Sequence, residues 1–443
     1  MEPLRGTASP SQPDIGKRRS RVTRVLALEA GAGDTRRFDA SKTTVGDHVE
    51  SEQRADASVG PEPMNQRRVA IFLGTRPEAV KLVPVYRALA RVPGCEPLVI
   101  STGQHKEMLD QVLGAAGIPV HRDLQVMARD QSLASLGARL LERVDAALAE
   151  TAFDLALVQG DTTTVLMAAL ACFYRHVPFG HVEAGLRTGD MSKPFPEEAN
   201  RRLVTPLAAL HFAPTNWACD NLLREGVPAD RVHVTGNTVI DALQQELARQ
   251  SDPRVRARID AWLDEVLGRG WRERRFVLVT GHRRESFGAG FAAICRALAT
   301  LAQRFPAVRF VYPVHLNPNV HGPVRDALGA IANVTLLPPL DYELFVTLLS
   351  ECKIVLTDSG GVQEEAPGLG KPVLVMRDTT ERPEGVEAGT ARLVGADESR
   401  IVDGVSVLLT DEAAWARMAL ARNPYGDGKA AERIATIVAA FWG

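Results

Sequence analysis

Cysteine is scarce and scattered: Cys95, Cys172, Cys219, Cys295 and Cys352 are the only five in 443 residues, and no two form a CxxC pair. An odd, dispersed set argues against a disulfide framework and for reduced thiols in a cytoplasmic setting. No apolar run approaches the length of a transmembrane helix, so no membrane partner is expected. Charge of one sign is also missing. The formal net charge of -2 provides no electrostatic reason to expect nucleic acid or an anionic membrane surface. No GxGxxG follows the first strand, which argues against a nicotinamide cofactor. No HExxH or similar ligand spacing is present, so no metal is expected. The remainder is ordinary for a soluble globular protein, 45% apolar and 24% charged, and long enough for two domains with separate cores.

Residues 1–66 differ from the rest. They are rich in Ser, Gly, Asp, Glu and Arg, and Phe38 is their only aromatic residue. Such a segment buries too little apolar surface to order itself, and a disordered extension is expected. The basic run Lys17-Arg18-Arg19-Ser20-Arg21 is followed by an apolar stretch too short for a signal-peptide core. Met64 sits just before the first strand and is a candidate start codon.

From residue 69 the pattern alternates strand and helix. Buried strands are expected at 69–73, 97–101, 155–159, 179–182, 232–235, 276–280, 308–312, 354–357 and 373–376. Between them lie helical patterns such as Leu133, Leu136, Leu140, Val144 and Leu148, which share one face at 3.6-residue spacing. This alternation implies parallel sheets covered by helices on both faces. There are too many strands for one sheet, and the charged stretch at about 250–275 separates two groups. The expected architecture is α/β, with two Rossmann-like doubly wound domains at 67–236 and 237–427 facing a cleft. A last helix at about 428–443 is expected to pack back on the first domain.

Chemistry-bearing residues cluster where strands end. Gly74-Thr75-Arg76-Pro77-Glu78 places Arg76 at a helix start with Lys81 a turn later, and two cations at a positively polarised helix end suit an anion such as phosphate. Thr75 and Glu78 have capping-box spacing. Gly160-Asp161-Thr162-Thr163-Thr164 follows another strand, where Asp161 reads equally as a helix N-cap or as a functional carboxylate. Glu183 closes an apolar strand, a costly place for an acid unless it is paired or functional. Asp161 and Glu183 together are acid/base candidates. The spacing of Glu197, Glu198, Arg201 and Arg202 reads, taken alone, as surface ion pairing. Gly281-His282-Arg283-Arg284 follows a buried strand and suits anion binding. A serine nucleophile elbow does not accompany His282, so a hydrolase triad is not supported. Asp358-Ser359-Gly360-Gly361 opens a helix whose free N–H groups suit a diphosphate, and Glu365, one turn on, suits a ribose diol.

Taken together, the strings GTRPEAVKL, GDTTT, GHVEAGLRTGD, PFPEEANR, TGNTVIDAL, GHRRESFG, YPVHLNPNV, LTDSGGVQEEAP and RDTTERPE resemble the non-hydrolysing UDP-N-acetylglucosamine 2-epimerases, from residue 69 to about 425. The resemblance implies a glycosyltransferase-B-type fold, a homodimer, UDP-N-acetylglucosamine as substrate and no cofactor. It implies acid/base roles around the sugar for Asp161, Glu183 and Glu197. It implies that Arg76, Lys81, Arg201 and His282 hold the diphosphate or assist its departure. Phosphate contacts from Ser359, Gly360 and Gly361 are implied, as are a ribose contact from Glu365, a nucleotide-end contact from Arg382 and a uracil-side contact from Phe345. The implied reaction is C2 epimerisation to UDP-N-acetylmannosamine through 2-acetamidoglucal, supplying cell-surface polysaccharide precursors. A glycosyltransferase of the same fold is the alternative. A hydrolysing epimerase and a nucleotide-sugar sensor are further rivals.

Overall fold

A computed structural model describes residues 66–103, 106–128, 131–281, 283 and 287–442, with backbone alone at 106–108 and 319. The expectations for residues 1–65 and for His282 lie outside the described residues. The first sheet contains β1 (Arg67–Leu73), β2 (Cys95–Ser101), β3 (Val120–Asp123), β4 (Leu155–Gln159), β5 (Phe179–Val182), β6 (Leu210–Ala213) and β7 (Val232–Val234). The second contains β8 (Phe276–Thr280), β9 (Arg309–Pro313), β10 (Val334–Leu337), β11 (Ile354–Thr357), β12 (Val373–Val375) and β13 (Ala391–Leu393). Their orders are β3-β2-β1-β4-β5-β6-β7 and β10-β9-β8-β11-β12-β13. Every pairing is parallel, for example Ile71 with Leu157 and Thr357 with Thr280. Both sheets are thus doubly wound, and each reverses its winding beside its first strand, between β1 and β4 and between β8 and β11.

Because side chains alternate across a strand, β1 sends Val69, Ile71 and Leu73 to one layer and Ala70 and Phe72 to the other. The first group packs on Leu82, Val85 and Leu89 of helix Arg76–Leu89 and on Ile434 and Val438 of helix Ala430–Phe441. The second packs on Leu140 and Val144 of helix Leu133–Glu150 and on Ala168 and Cys172 of helix Thr163–Tyr174. Leu133 departs from its expected face: it stands in the first helical turn and is 47% exposed. The charged stretch after residue 250 is mostly helix Pro253–Leu267, with Ile259, Leu263 and Leu267 buried against the second sheet. Burying each of these contributes roughly 1.5–3 kcal/mol, whereas a surface ion pair on its charged face contributes at most about 1 kcal/mol. Its apolar stripe, not its charge, decides where it sits.

The chain leaves the first sheet near Gly236 and returns to it after Tyr425, and the two crossings touch. Asn237 N donates to Tyr425 O at 2.8 Å, and a Cβ on Gly426 would lie 3.3 Å from Gly236 Cα. The Asp241 carboxylate accepts from Ala430 N and Ala431 N, closing the N-terminus of the last helix. Among the described residues, no helix is long and apolar enough to cross a membrane.

Candidate active site

The turn after β1 is held by Glu78. Its carboxylate accepts from Gly74 N at 2.8 Å and Thr75 N at 2.7 Å, and also from the Thr162 hydroxyl at 2.6 Å. The third bond ties the β1 turn to the β4 turn across the reversal point, where doubly wound sheets place ligands. A helix-capping glutamate therefore fixes two site loops at once.

Glu183, the first residue after β5, has φ +65°. A non-glycine residue in that region carries strain of about 1–3 kcal/mol and persists only where its surroundings impose it. Here Lys81 Nζ lies 2.5 Å from Glu183 Oε2, Gln159 Nε2 donates to the same oxygen, and Arg382 Nη2 donates to Oε1 at 3.2 Å. Gly185, two residues on, has φ +89°, and a Cβ there would meet Ala218 O at 2.1 Å. Only glycine fits that turn.

Asp161 meets Arg201 Nη2 at 2.5 Å. Burial alone would raise its carboxyl, but the cations around it, Arg201 foremost and Arg382 with it, together hold it below the usual carboxylate range. Arg201 is only 4% exposed, and Glu198, at 3.1 Å from it, is fully buried. In this helix, Glu197–Val204, surface pairing is therefore the wrong reading for Arg201, although the exposed Arg202 does lie 3.9 Å from Glu198 at the expected spacing. Glu198 also accepts from Thr188 N and Gly189 N at 3.1 Å, so it anchors the loop that follows Glu183. Glu197 is pushed up by burial and by the neighbouring Asp161. Two nearby carboxylates thus titrate in opposite directions, the arrangement that separates an acid from a base.

The second sheet contributes β11, β12 and the turns after them. Ser359 stands at the N-cap of helix Gly360–Gly368 without a side-chain capping bond, and a Cβ on Gly361 would meet nothing within 4 Å. Arg382 donates from Nε to Glu364 at 2.5 Å, and also pairs with Glu381 and Glu183. Glu381 is held well below the usual range: burial opposes this, but Arg382, Arg377 and Arg201 prevail. Glu365 accepts from the Tyr342 hydroxyl at 2.9 Å and is pushed up to about 7, chiefly by burial. Phe345 lies three residues beyond Tyr342 on helix Tyr342–Glu351, half-buried against the second-sheet core. Arg76 stands apart from the Glu183 group, donating across to Leu340 O at 2.7 Å.

The structure therefore gathers Lys81, Glu183, Arg201 and Arg382, all buried, and the partly exposed Asp161 into one charged group. Glu197 is linked to it through Asp161, and Glu365 lies on the helix that carries Glu364. Glu364, Glu381, Arg377 and Tyr342 belong to the group or its rim and were not expected from the sequence. The available signal was the pair of adjacent acids in the first turns of the helix that Gly360-Gly361 opens, where a charge that is buried is costly unless paired. Among the described residues, no group of three or more His, Cys, Asp or Glu is arranged to hold a metal ion.

A family model described as UDP-N-acetylglucosamine 2-epimerase matches residues 87–439. The chain belongs to that family. Within it, the UDP-N-acetylglucosamine 2-epimerase of Escherichia coli strain K12 is 52% identical over 372 residues, covering 83% of this chain and 97% of the relative. The Yersinia pestis enzyme is 53% identical over 371 residues, with the same coverage of 83% and 97%. A crystal structure of the Neisseria meningitidis 2-epimerase bound to UDP-GlcNAc superposes with a TM-score of 0.81 at 43% identity, covering 84% of this chain and all of that one. The Methanocaldococcus jannaschii 2-epimerase, in complex with UDP-GlcNAc and UDP, has a TM-score of 0.75 at 31% identity, covering 84% of this chain and 99% of that one. Two facing Rossmann-like units of the glycosyltransferase-B type are the fold these 2-epimerases share with this chain.

Proposed function

We propose that this chain interconverts UDP-N-acetylglucosamine and UDP-N-acetylmannosamine by eliminating and re-adding UDP. The observation that carries this reading is the convergence of Asp161, Glu183 and Glu197 with Lys81, Arg201 and Arg382 at the strand ends, beside the glycine turn after β11. The C2 hydrogen of the sugar has no adjacent carbonyl to acidify it, so direct deprotonation is too slow. When the C1–O bond to UDP breaks, oxocarbenium character at C1 acidifies that hydrogen. A carboxylate takes the proton, the C1–C2 double bond of 2-acetamidoglucal forms, and UDP keeps the bonding electron pair. Return of a proton to the opposite face, with re-addition of UDP at C1, inverts C2.

The charged residues suit these steps. Lys81, Arg76 and Arg201 offset the charge growing on the departing diphosphate. Ser359 and the N–H groups of Gly360 and Gly361 hold its phosphates. Glu365 accepts from the ribose, Phe345 lies on the uracil side and Arg382 closes the nucleotide end. His282 is assigned to assist departure of UDP. Asp161, which Arg201 keeps ionised, is the base candidate together with Glu183. Glu197, whose proton is held more tightly, is the acid candidate.

The test is incubation with UDP-N-acetylglucosamine in deuterated water, without NAD and with chelator, followed by proton NMR. The expected result is UDP-N-acetylmannosamine carrying deuterium at C2. Glu183→Gln is expected to abolish exchange while UDP still binds. Binding without exchange in the unaltered chain would instead favour a transferase lacking its acceptor. Undiminished turnover in the variant would remove Glu183 from the mechanism.

A further inference from the structure

Four buried charges close into a ring that alternates in sign and spans the two sheets. Lys81 Nζ lies 2.5 Å from Glu183 and 3.5 Å from Glu364. Arg382 completes it, 2.5 Å from Glu364 and 3.2 Å from Glu183. Glu183 and Lys81 come from the first sheet's turns and helices, Glu364 and Arg382 from the second's. Glu364 is fully buried, and its Oε2 accepts no hydrogen bond among the described residues. A carboxylate in that setting is expensive as a purely structural element, since well-packed apolar residues commonly serve as well or better. Its chemical effect is specific. Without it, two cations would bracket Glu183 alone and oppose its taking up a proton. With it, the ring is balanced.

We propose that Glu364 is a positioning residue that acts through Lys81 and Arg382 to keep Glu183 a competent proton acceptor, an inference that rests on the epimerase reading above. Other groups face the ring: Glu365 on the same helix, Tyr425 from the returning crossing, and Glu381 across Arg382. Asp161 lies near Arg382, and His181 near Glu183. None of them bridges Lys81 to Arg382 as Glu364 does. The same geometry predicts an effect on ligand binding, because Glu364 sets a negative charge beside cations that would otherwise be fully available to a diphosphate.

The test compares Glu364→Gln, which keeps shape and removes charge, with the unaltered chain. Steady-state epimerisation is followed across about pH 5 to 9, and UDP binding by calorimetry. The expected result is a kcat lowered by up to about 10-fold, an acid limb of kcat moved down by about one pH unit, a KM that does not rise, and UDP bound at least as tightly. Glu364→Asp, which restores the charge at shorter reach, should regain part of both kcat and the acid limb. An unmoved acid limb, or kcat and UDP affinity falling together, would overturn the proposal. If Glu364→Gln is unfolded by circular dichroism, Glu364→Asp is judged alone by the same acid limb. If the unaltered chain binds UDP without turnover, the epimerase reading fails and calorimetry decides: tighter UDP in Glu364→Gln supports the ring, weaker UDP refutes it.

Discussion

An ideal Cβ on Gly360 would lie 2.6 Å from Arg382 Nη1 and 2.8 Å from its Cζ, whereas one on Gly361 would meet nothing within 4 Å. The Arg382 guanidinium cannot swing aside cheaply, because Glu183, Glu364 and Glu381 pin it. Gly360→Ala is therefore expected to lower stability by about 1–3 kcal/mol, as overpacking does, and to depress turnover with it; denaturant melts and kcat check both. Gly361→Val should instead fold within about 1 kcal/mol of the unaltered chain and lose UDP affinity, because its side chain enters the space a phosphate would use. Unchanged UDP affinity by calorimetry would remove the phosphate role from that turn. At this scale the sequence was legible at Glu183, an acid closing an apolar strand, whereas Asp161 read equally as a helix N-cap, a place that Thr162 takes instead. Arg201 was misjudged because helical spacing gives the same pattern on a surface as in a core. Of two adjacent glutamates, only packing decides that Glu364 meets Arg382 while Glu365 meets Tyr342.

Among the elements, the turn from β5 into its loop sets a non-glycine residue, Glu183, and a tightly enclosed glycine, Gly185, both at positive φ. Gly185→Ala would drive a methyl onto Ala218 O, and is expected to destabilise by about 3 kcal/mol or more. Gly189→Ala, also at positive φ but with open space around it, should cost only about 1 kcal/mol. Urea unfolding of the two variants checks the contrast, and near-equal losses would show that packing against helix Asn216–Arg224 is unimportant. The strands expected from apolar runs are present, with ends shifted by a residue or two. Four others went unread for physical reasons. β3 (Val-His-Arg-Asp) and β13 (Ala-Arg-Leu) are edge strands, buried too little to need an apolar run, and β10 is an edge strand of four residues. β6, which carries His211, is fully buried, but it continues the apolar stretch Leu207-Ala208-Ala209 with no turn residue to mark its start.

That histidine bears on the molecule as a whole. His181 and His211 pair in register across β5 and β6, and each buries an Nδ1 that has no hydrogen-bond partner among the described residues. Burial, chiefly, pushes His181 down to about 4 and His211 down to about 3. From an ordinary value near 6.5 down to those values, the unfolded chain binds protons that the folded chain does not, so stability falls as pH drops through that window. The expected loss is on the order of 2 kcal/mol per histidine by about pH 5, read as a falling urea midpoint. Replacing His211 by Phe should flatten that fall, and an unchanged slope would assign acid sensitivity elsewhere. The broad architecture was legible because each β/α alternation is local. The joining of charges across the two sheets was not, since it depends on how distant segments meet.

The last helix places Ala431, Ile434, Ala435 and Val438 in the same core as Val69, Ile71 and Leu157. The second sheet is thus a single uninterrupted insertion in a unit whose pieces lie at both ends of the described chain. During synthesis on the ribosome, the half that emerges first is the last to be finished. The inserted half can close its own core while the first still waits, with an apolar groove uncovered, until helix Ala430–Phe441 has left the exit tunnel.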